Sequence, residues 1–275
     1  VDASRTAVTT ITNQGASPYT QTSFARFNQY TNPELRWEKI ATTNLAIDFG
    51  LLNNNISGSL EIYRKHATDL YGRTPVDYTS INVSRIIKNV AEISGKGLDF
   101  SLKTINTQGS LNWSSDLNFN LYRDQVLDYY QSTDQASSFT SGGQNLTGLV
   151  GKPVYSILSY SWAGLDAETG DPMGYFKGAQ SKDYLSLTGT STTINDLIYS
   201  GPSLPTVYGT LGNSFTSQGF SLQVRLSYKL GYYFRRESIN YAALFANGVG
   251  HADYASRWKQ KGDELNTDKY LHKGE

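Results

Sequence analysis

From Phe220 to Phe234 the chain reads Phe-Ser-Leu-Gln-Val-Arg-Leu-Ser-Tyr-Lys-Leu-Gly-Tyr-Tyr-Phe, with an apolar or aromatic residue at every even position. The odd positions carry Ser221, Gln223, Arg225, Ser227, Lys229 and Gly231, and only Tyr233 departs from the pattern. A period of two sends successive side chains to opposite faces of an extended strand. The run covers 15 residues, whereas an ordinary globular strand has about 5–6. A tilted crossing of a lipid bilayer takes about 9–11 residues, with extensions at each end, and accounts for such a length. The apolar face then meets lipid and the polar face a wet lumen. Tyr228, Tyr232, Tyr233 and Phe234 supply an interfacial aromatic belt at one end.

The same alternation recurs upstream. Leu111, Trp113, Leu117, Phe119 and Leu121 alternate with Asn112, Ser114, Asp116, Asn118 and Asn120, and shorter versions run through 44–51, 56–66 and 90–105. Four connections are short: 52–55, 106–109, 166–172 and 217–219. They alternate with connections of roughly 20–40 residues, which is how outer-membrane barrels are built. The fold expected is all-β, an antiparallel transmembrane barrel segment of about 8–10 strands, with short turns on one side and long loops on the other. Residues 1–31 read as loop with one weak strand, and 155–176 as a third, less regular hairpin. A short helix is expected near Ile239–Ala246. The rival is a soluble secreted β-domain that binds carbohydrate. In it the face of Leu222, Val224, Leu226, Leu111, Leu117 and Phe119 packs a core instead of meeting lipid.

Composition removes several function classes. Lysine and arginine number 24 and aspartate and glutamate 24, so no net charge directs the chain to nucleic acid. There is no cysteine, hence no disulfide or thiolate metal site. No apolar run approaches the roughly 20 residues of a membrane helix. The negative mean hydropathy leaves a barrel open, because half of each barrel strand is polar. His66, His251 and His272 are far apart in sequence and none has a second histidine or a cysteine nearby. Asp166-Ala-Glu-Thr-Gly-Asp171 lacks the spacing of an EF-hand loop and reads as an acidic hairpin turn. Ser141-Gly-Gly143 and Gly95-Lys-Gly97 do not open a helix after a strand, as a phosphate loop would. With no nucleophile–base pair in view, the chain reads as no enzyme, with no cofactor and no metal site. The candidate substrate-facing residues are Asn112, Asp116, Asn118, Asn120, Gln223, Arg225 and Lys229 on the polar face, where they either touch ligand or satisfy a wet wall. Tyr129 and Tyr130, just beyond a strand, either stack on a sugar or belong to the interfacial belt.

Five segments carry a family resemblance. Asn32-Pro-Glu-Leu-Arg-Trp-Glu38 resembles the NPxLxWE box of SusC/RagA-like TonB-dependent outer-membrane transporters of Bacteroidota. In the same order as in that family follow Asp48–Asn54 with Tyr63–Lys65 and Thr68–Leu70, then Asn89–Leu98, Gly164–Pro172 and Arg257–Glu264. The resemblance implies a 22-stranded barrel with an N-terminal plug, of which residues 1–275 would all be barrel, the plug, early strands and final strands being absent. It also implies location in the cell outer membrane and import of oligosaccharides or peptides through a gated barrel. The implied partners are a SusD-like surface lipoprotein, TonB acting through the plug, and outer-membrane lipid.

Overall fold

The computed structural model describes residues 10–29, 32–75, 85–130, 134–140 and 148–265. The chain divides into two units. Unit 1 comprises Val1–Ser132, Leu146–Tyr155 and Leu204–Tyr232; unit 2 comprises Thr133–Asn145, Ser156–Ser203 and Tyr233–Glu275.

Unit 1 holds a two-stranded hairpin of β1 (Thr10–Ala16) and β2 (Ser23–Gln29), where the sequence suggests one weak strand. It also holds one large antiparallel sheet. Its strands are β3 (Lys39–Leu51), β4 (Ile56–Pro75), β5 (Arg85–Thr107), β6 (Asn112–Tyr129), β12 (Val207–Ser217) and β13 (Phe220–Leu230). Their spatial order is β13-β12-β6-β5-β4-β3. Neighbours in sequence pair directly, except that β12 lies beside β6 across the 130–206 connection.

Three short turns close one end of this sheet. Leu52, Asn53 and Asn54 adopt left-handed conformations between β3 and β4 (φ 52, 56 and 65°), and Gln218 and Gly219 do so between β12 and β13 (φ 49 and 84°). Asparagine and glycine tolerate this geometry, which a tight hairpin demands. At the other end β4, β5 and β6 run well past the alternating segments. This shortens the expected long connection between β4 and β5 to 76–84, outside the described residues. The longest alternating strand is shorter than its sequence period suggests. β13 stops at Leu230 because Gly231 turns left-handed (φ 71°) and its carbonyl accepts from Thr206 Oγ1 at 3.2 Å. Tyr232, Tyr233 and Phe234 therefore lie beyond the strand.

Almost nothing in the large sheet is buried. Val126 is 2% exposed, whereas Leu45, Ile47, Leu222 and Leu226 are each more than half exposed. Among the described residues no protein core packs against the apolar face.

Unit 2 has its own small core, with Leu158, Leu165, Leu187 and Trp258 buried. β7 (Ser156–Ser159) pairs with β11 (Ile198–Pro202). β8 (Trp162–Leu165), β9 (Pro172–Phe176) and β10 (Ala179–Ser181) form a separate three-stranded sheet. The third hairpin of the sequence reading thus forms a sheet of its own and does not join the large one. Its strands are only 4–5 residues long, too short to cross a bilayer. A helix spans Tyr241–Asn247, capped by Asn240 and ended by left-handed Gly248, where the sequence places one near 239–246.

Candidate lumenal surface

The register converts six separate alternations into two continuous faces. One face carries cross-strand rows: Leu45–Ile62–Leu98–Leu121–Val207–Leu230, then Ile47–Leu60–Phe100–Phe119–Gly209–Tyr228, then Phe49–Gly58–Leu102–Leu117–Leu211–Leu226. Toward the short turns this face ends in Trp113 and Phe215, stacked at 5.7 Å, with Leu222 beside them. Asn213 interrupts the apolar face, but Trp113 Nε1 (3.0 Å) and Ser115 Oγ (2.7 Å) both donate to its Oδ1. A polar side chain facing hydrocarbon needs its partners on the protein, and this one has two. An 11-residue strand rises about 37 Å at ~3.4 Å per residue. Tilted by about 40°, it covers about 28 Å, close to the ~25 Å apolar band of an outer-membrane barrel.

The opposite face is polar. One row reads Lys229–Tyr208–Asn120–Asp99–Glu61–Ala46, the next Ser227–Thr210–Asn118–Ser101–Ser59–Asp48, and the next Arg225–Gly212–Asp116–Lys103–Ser57–Gly50. All seven polar candidates from β6 and β13 fall on this face. Arg225 Nη2 reaches Asp116 Oδ2 at 3.2 Å, passing over Gly212, where any Cβ would overlap the Asp116 carboxylate. Asn118 donates to Thr210 Oγ1 and Asn120 to the Tyr208 carbonyl, both at 3.2 Å. Asn112 accepts from the Gly109 amide at the short-turn edge. Gln223 lies opposite Ser214, and Lys229 opposite Tyr208. Tyr129 is half-buried against Gly148, whereas Tyr130 is exposed; the two do not form a paired platform.

The sequence reading missed the aromatic part of this face. Tyr63 and Tyr122 stack with ring centroids 6.5 Å apart, and the Lys65 ammonium lies 5.1 Å from the Tyr63 ring centre. Buried Gly97 and Gly95 lie under the two rings; a Cβ on either glycine would land in the tyrosine above it. Gly95-Lys-Gly97 is therefore a seat for two rings. In sequence its only signal is two glycines with one spacing inside a strand, a mark of close approach.

Two of the resemblance segments meet in unit 2, and three in unit 1. In unit 1 the Asn89 amide donates to the Arg36 carbonyl and its carbonyl oxygen accepts from the Arg36 amide, both at 2.9 Å. Asn89 Nδ2 also donates to the Asp69 carbonyl, and Arg36 pairs with Asp69 at 2.7 Å. In unit 2 Trp258 lies over Gly170 (φ 72°) and donates from Nε1 to Glu264 at 3.1 Å. The turn of Asp166 and Asp171 is an acidic hairpin turn. Lys182 stands 3.0 Å from Asp166, where a cation would sit, and holds its carboxyl well below the usual range, aided by the Thr169 and Glu168 amides. Among the described residues no cluster of three potential ligands can hold a metal. His272 and Ser141–Gly143 lie outside the described residues. The described side chains of this face present ring surfaces and hydrogen-bonding groups.

An antiparallel sheet with an uncovered apolar face, a wet polar face and short turns at one end is a sector of a transmembrane β-barrel wall. Solved structures share that fold. The RagAB peptide transporter superposes on 96% of this chain and 29% of its own, with a TM-score of 0.70 at 20% identity. The RagAB peptide importer in its open-open state gives 0.65 at 21% identity over 97% of this chain and 28% of its own. In sequence the chain is similar to TonB-dependent receptor SusC of Bacteroides thetaiotaomicron, 24% identical over 79% of this chain and 22% of that protein. It is also similar to TonB-dependent receptor P3 of Formosa agariphila, 26% identical over 50% of this chain and 14% of that protein. No family model matches. The chain spans about a fifth of the length of the curated SusC it matches. The resemblance to SusC/RagA-like TonB-dependent transporters holds in sequence and in fold. Those relatives are named as TonB-dependent receptors and, among the solved structures, as a peptide transporter, and a β-barrel sector of this kind belongs to an outer membrane.

Proposed function

We propose that residues 1–275 belong to the β-barrel domain of a TonB-dependent importer that moves oligosaccharides or peptides across the outer membrane, the large sheet of unit 1 being its wall. The observation that carries this reading is the two-faced sheet, apolar and uncovered on one side, polar and aromatic on the other. Ligand contacts are assigned to the wet face. Asn112, Asp116, Asn118, Asn120, Gln223, Arg225 and Lys229 supply polar groups, and Tyr63, Tyr122 and Tyr208 supply ring surfaces. Such amphipathic rings suit both sugar faces and peptide side chains. Tyr129 and Tyr130 stand at the long-loop end of the same wall. A SusD-like surface lipoprotein closing that end and TonB acting on a plug complete the proposed cycle of gated, non-covalent passage. A soluble β-domain would bury the face of Leu226, which is 62% exposed.

The test is uptake by cells carrying the full-length gene, or its deletion, with defined labelled oligosaccharides and peptides. The ligand co-purifying with the barrel is identified by mass spectrometry. Deletion should abolish uptake of one class, and alanine at Tyr63, Tyr122 and Tyr208 together should lower it without removing the protein from the membrane. Uptake of every ligand unchanged on deletion would sink the proposal.

A further inference from the structure

Immediately beyond the apolar band, on the lipid-facing side, stands a row of cations. One pleat period past Ile62, Leu98 and Leu121 come Arg64, Lys96 and Arg123, which occupy adjacent register positions on β4, β5 and β6. Directly opposed residues in such a sheet have Cβ atoms about 4.5–5.5 Å apart, and like charges so placed repel. None of the three has an ion pair among the described residues, and all three are exposed. The nearest acids facing this side are otherwise engaged or displaced. Glu92 bonds His66 at 2.6 Å, and Asp128 sits beside Glu92 beyond the bulge. Asp124, on the opposite parity, accepts from the Val154 amide at 2.7 Å. The three cations line a recess of about 520 Å³ together with Ser94, Gln125, Leu127 and the backbone of Gly95 and Gly151; Asp124 also borders it, so three cations there face one carboxylate, itself engaged by the Val154 amide.

We infer that this recess binds the phosphate groups of a lipid headgroup in the leaflet on the long-loop side. The inference rests on the outer-membrane reading of the chain. The row sits about 6.8 Å along the strand from the last apolar row at the ~3.4 Å rise per residue, which is the depth at which hydrocarbon gives way to headgroups. Unpaired guanidinium groups present forked donors that match phosphate oxygens, and a lysine between them adds a point charge. Basic pockets at this depth are suited to anionic headgroups. An anion lying across all three would remove the mutual repulsion that the register otherwise imposes.

The experiment uses the full-length outer-membrane protein, purified in detergent and examined by native mass spectrometry with bis-phosphorylated lipid A. Dephosphorylated lipid A and inorganic phosphate serve as comparison probes. Each single change, Arg64→Gln, Lys96→Gln or Arg123→Gln, should weaken lipid A retention about fivefold, and the triple variant should lose it. Lys96→Arg should retain it. Heat-modifiable migration identifies folded barrel, and if the triple variant does not fold, the graded single variants carry the test. Equal retention by the folded variants, or equal retention of dephosphorylated lipid, overturns the proposal. So does full displacement by inorganic phosphate at the lipid's own concentration, which would make free phosphate the ligand. Flotation of the wild-type protein with outer membranes is scored separately, so that failure of the membrane reading is not mistaken for failure of this site.

Discussion

Arginine placed along β13 measures what lies against each face. Leu226 lies inside the run of six outward positions Phe220, Leu222, Val224, Leu226, Tyr228 and Leu230, midway between Leu222 and Leu230, and its row continues through Leu211, Leu117 and Leu102. At a bilayer midplane Leu226→Arg costs about 2–4 kcal/mol, and near either interface the cost falls to about 0–1 kcal/mol. At 1.36 kcal/mol per tenfold, the midplane cost is roughly a 30- to 900-fold shift in the folding equilibrium. Ser227, the next residue, faces the wet side opposite Thr210, so Ser227→Arg should fall within about 0.5 kcal/mol of wild type. The assay is reversible folding of the full-length barrel into liposomes, followed by urea titration and heat-modifiable migration for Leu222→Arg, Leu226→Arg, Leu230→Arg and Ser227→Arg. The magnitude at Leu226 alone overlaps with the cost of burying an unpaired charge in a packed core. The depth profile does not. Lipid predicts a maximum at the middle position and small effects at both ends. A flat profile across the three leucines, or a Ser227→Arg variant as damaged as Leu226→Arg, would refute the assignment of faces.

Three further outcomes follow from the loop and strand-end contacts. Asn89→Ala removes both hydrogen bonds to the Arg36 backbone and should destabilise folded protein by about 2–3 kcal/mol, read as a lower urea midpoint. Gly170→Ala combines a left-handed backbone with a Cβ directed into the Trp258 ring. It should cost about 1–3 kcal/mol and shift Trp258 fluorescence, whereas Gly178→Ala, at a left-handed turn with open space around it, should leave that signal unchanged. Arg236 and Ser238 hold the Asp253 carboxyl down at about 2. A lowered folded-state value means the contact stabilises above the unfolded value near 3.8 and is lost as pH falls toward 2. The protection of amides around 251–257, taken relative to their intrinsic exchange rates at each pH, should therefore fall between about pH 4 and pH 2 in the wild type, and be low already at pH 7 in Asp253→Asn.

Legibility in the sequence follows solvent. In β13 and the lower half of β6, one face meets hydrocarbon and the other water, so the side chains alternate and the strand can be read directly. Above the apolar band both faces are wet. There β4 from His66 to Pro75, β5 from Arg85 to Gly95 and β6 from Tyr122 to Tyr129 continue as strand without alternating, and periodicity ends them early. Asn213, satisfied from two neighbours, and Gly209 and Gly212, each leaving room for a neighbouring side chain, blur β12 in the same way. The third hairpin alternates poorly because its short strands pack against the small core of unit 2, with Leu165 buried there.

By itself the sequence determined the class of wall and the face on which each belt residue lies, because a two-residue period between two solvents leaves an intrachain trace. It also carried the motif residues Asn89, Gly170 and Trp258, though not their partners. The tertiary structure alone decided which residues meet: Tyr63 with Tyr122 over Gly95 and Gly97, Asp116 with Arg225 across Gly212, and Arg64, Lys96 and Arg123 in one row. Those neighbours come from strands far apart along the chain, and a shift of one residue in pairing would send each to the opposite face. Register is set by hydrogen bonds between strands, so no single strand records it.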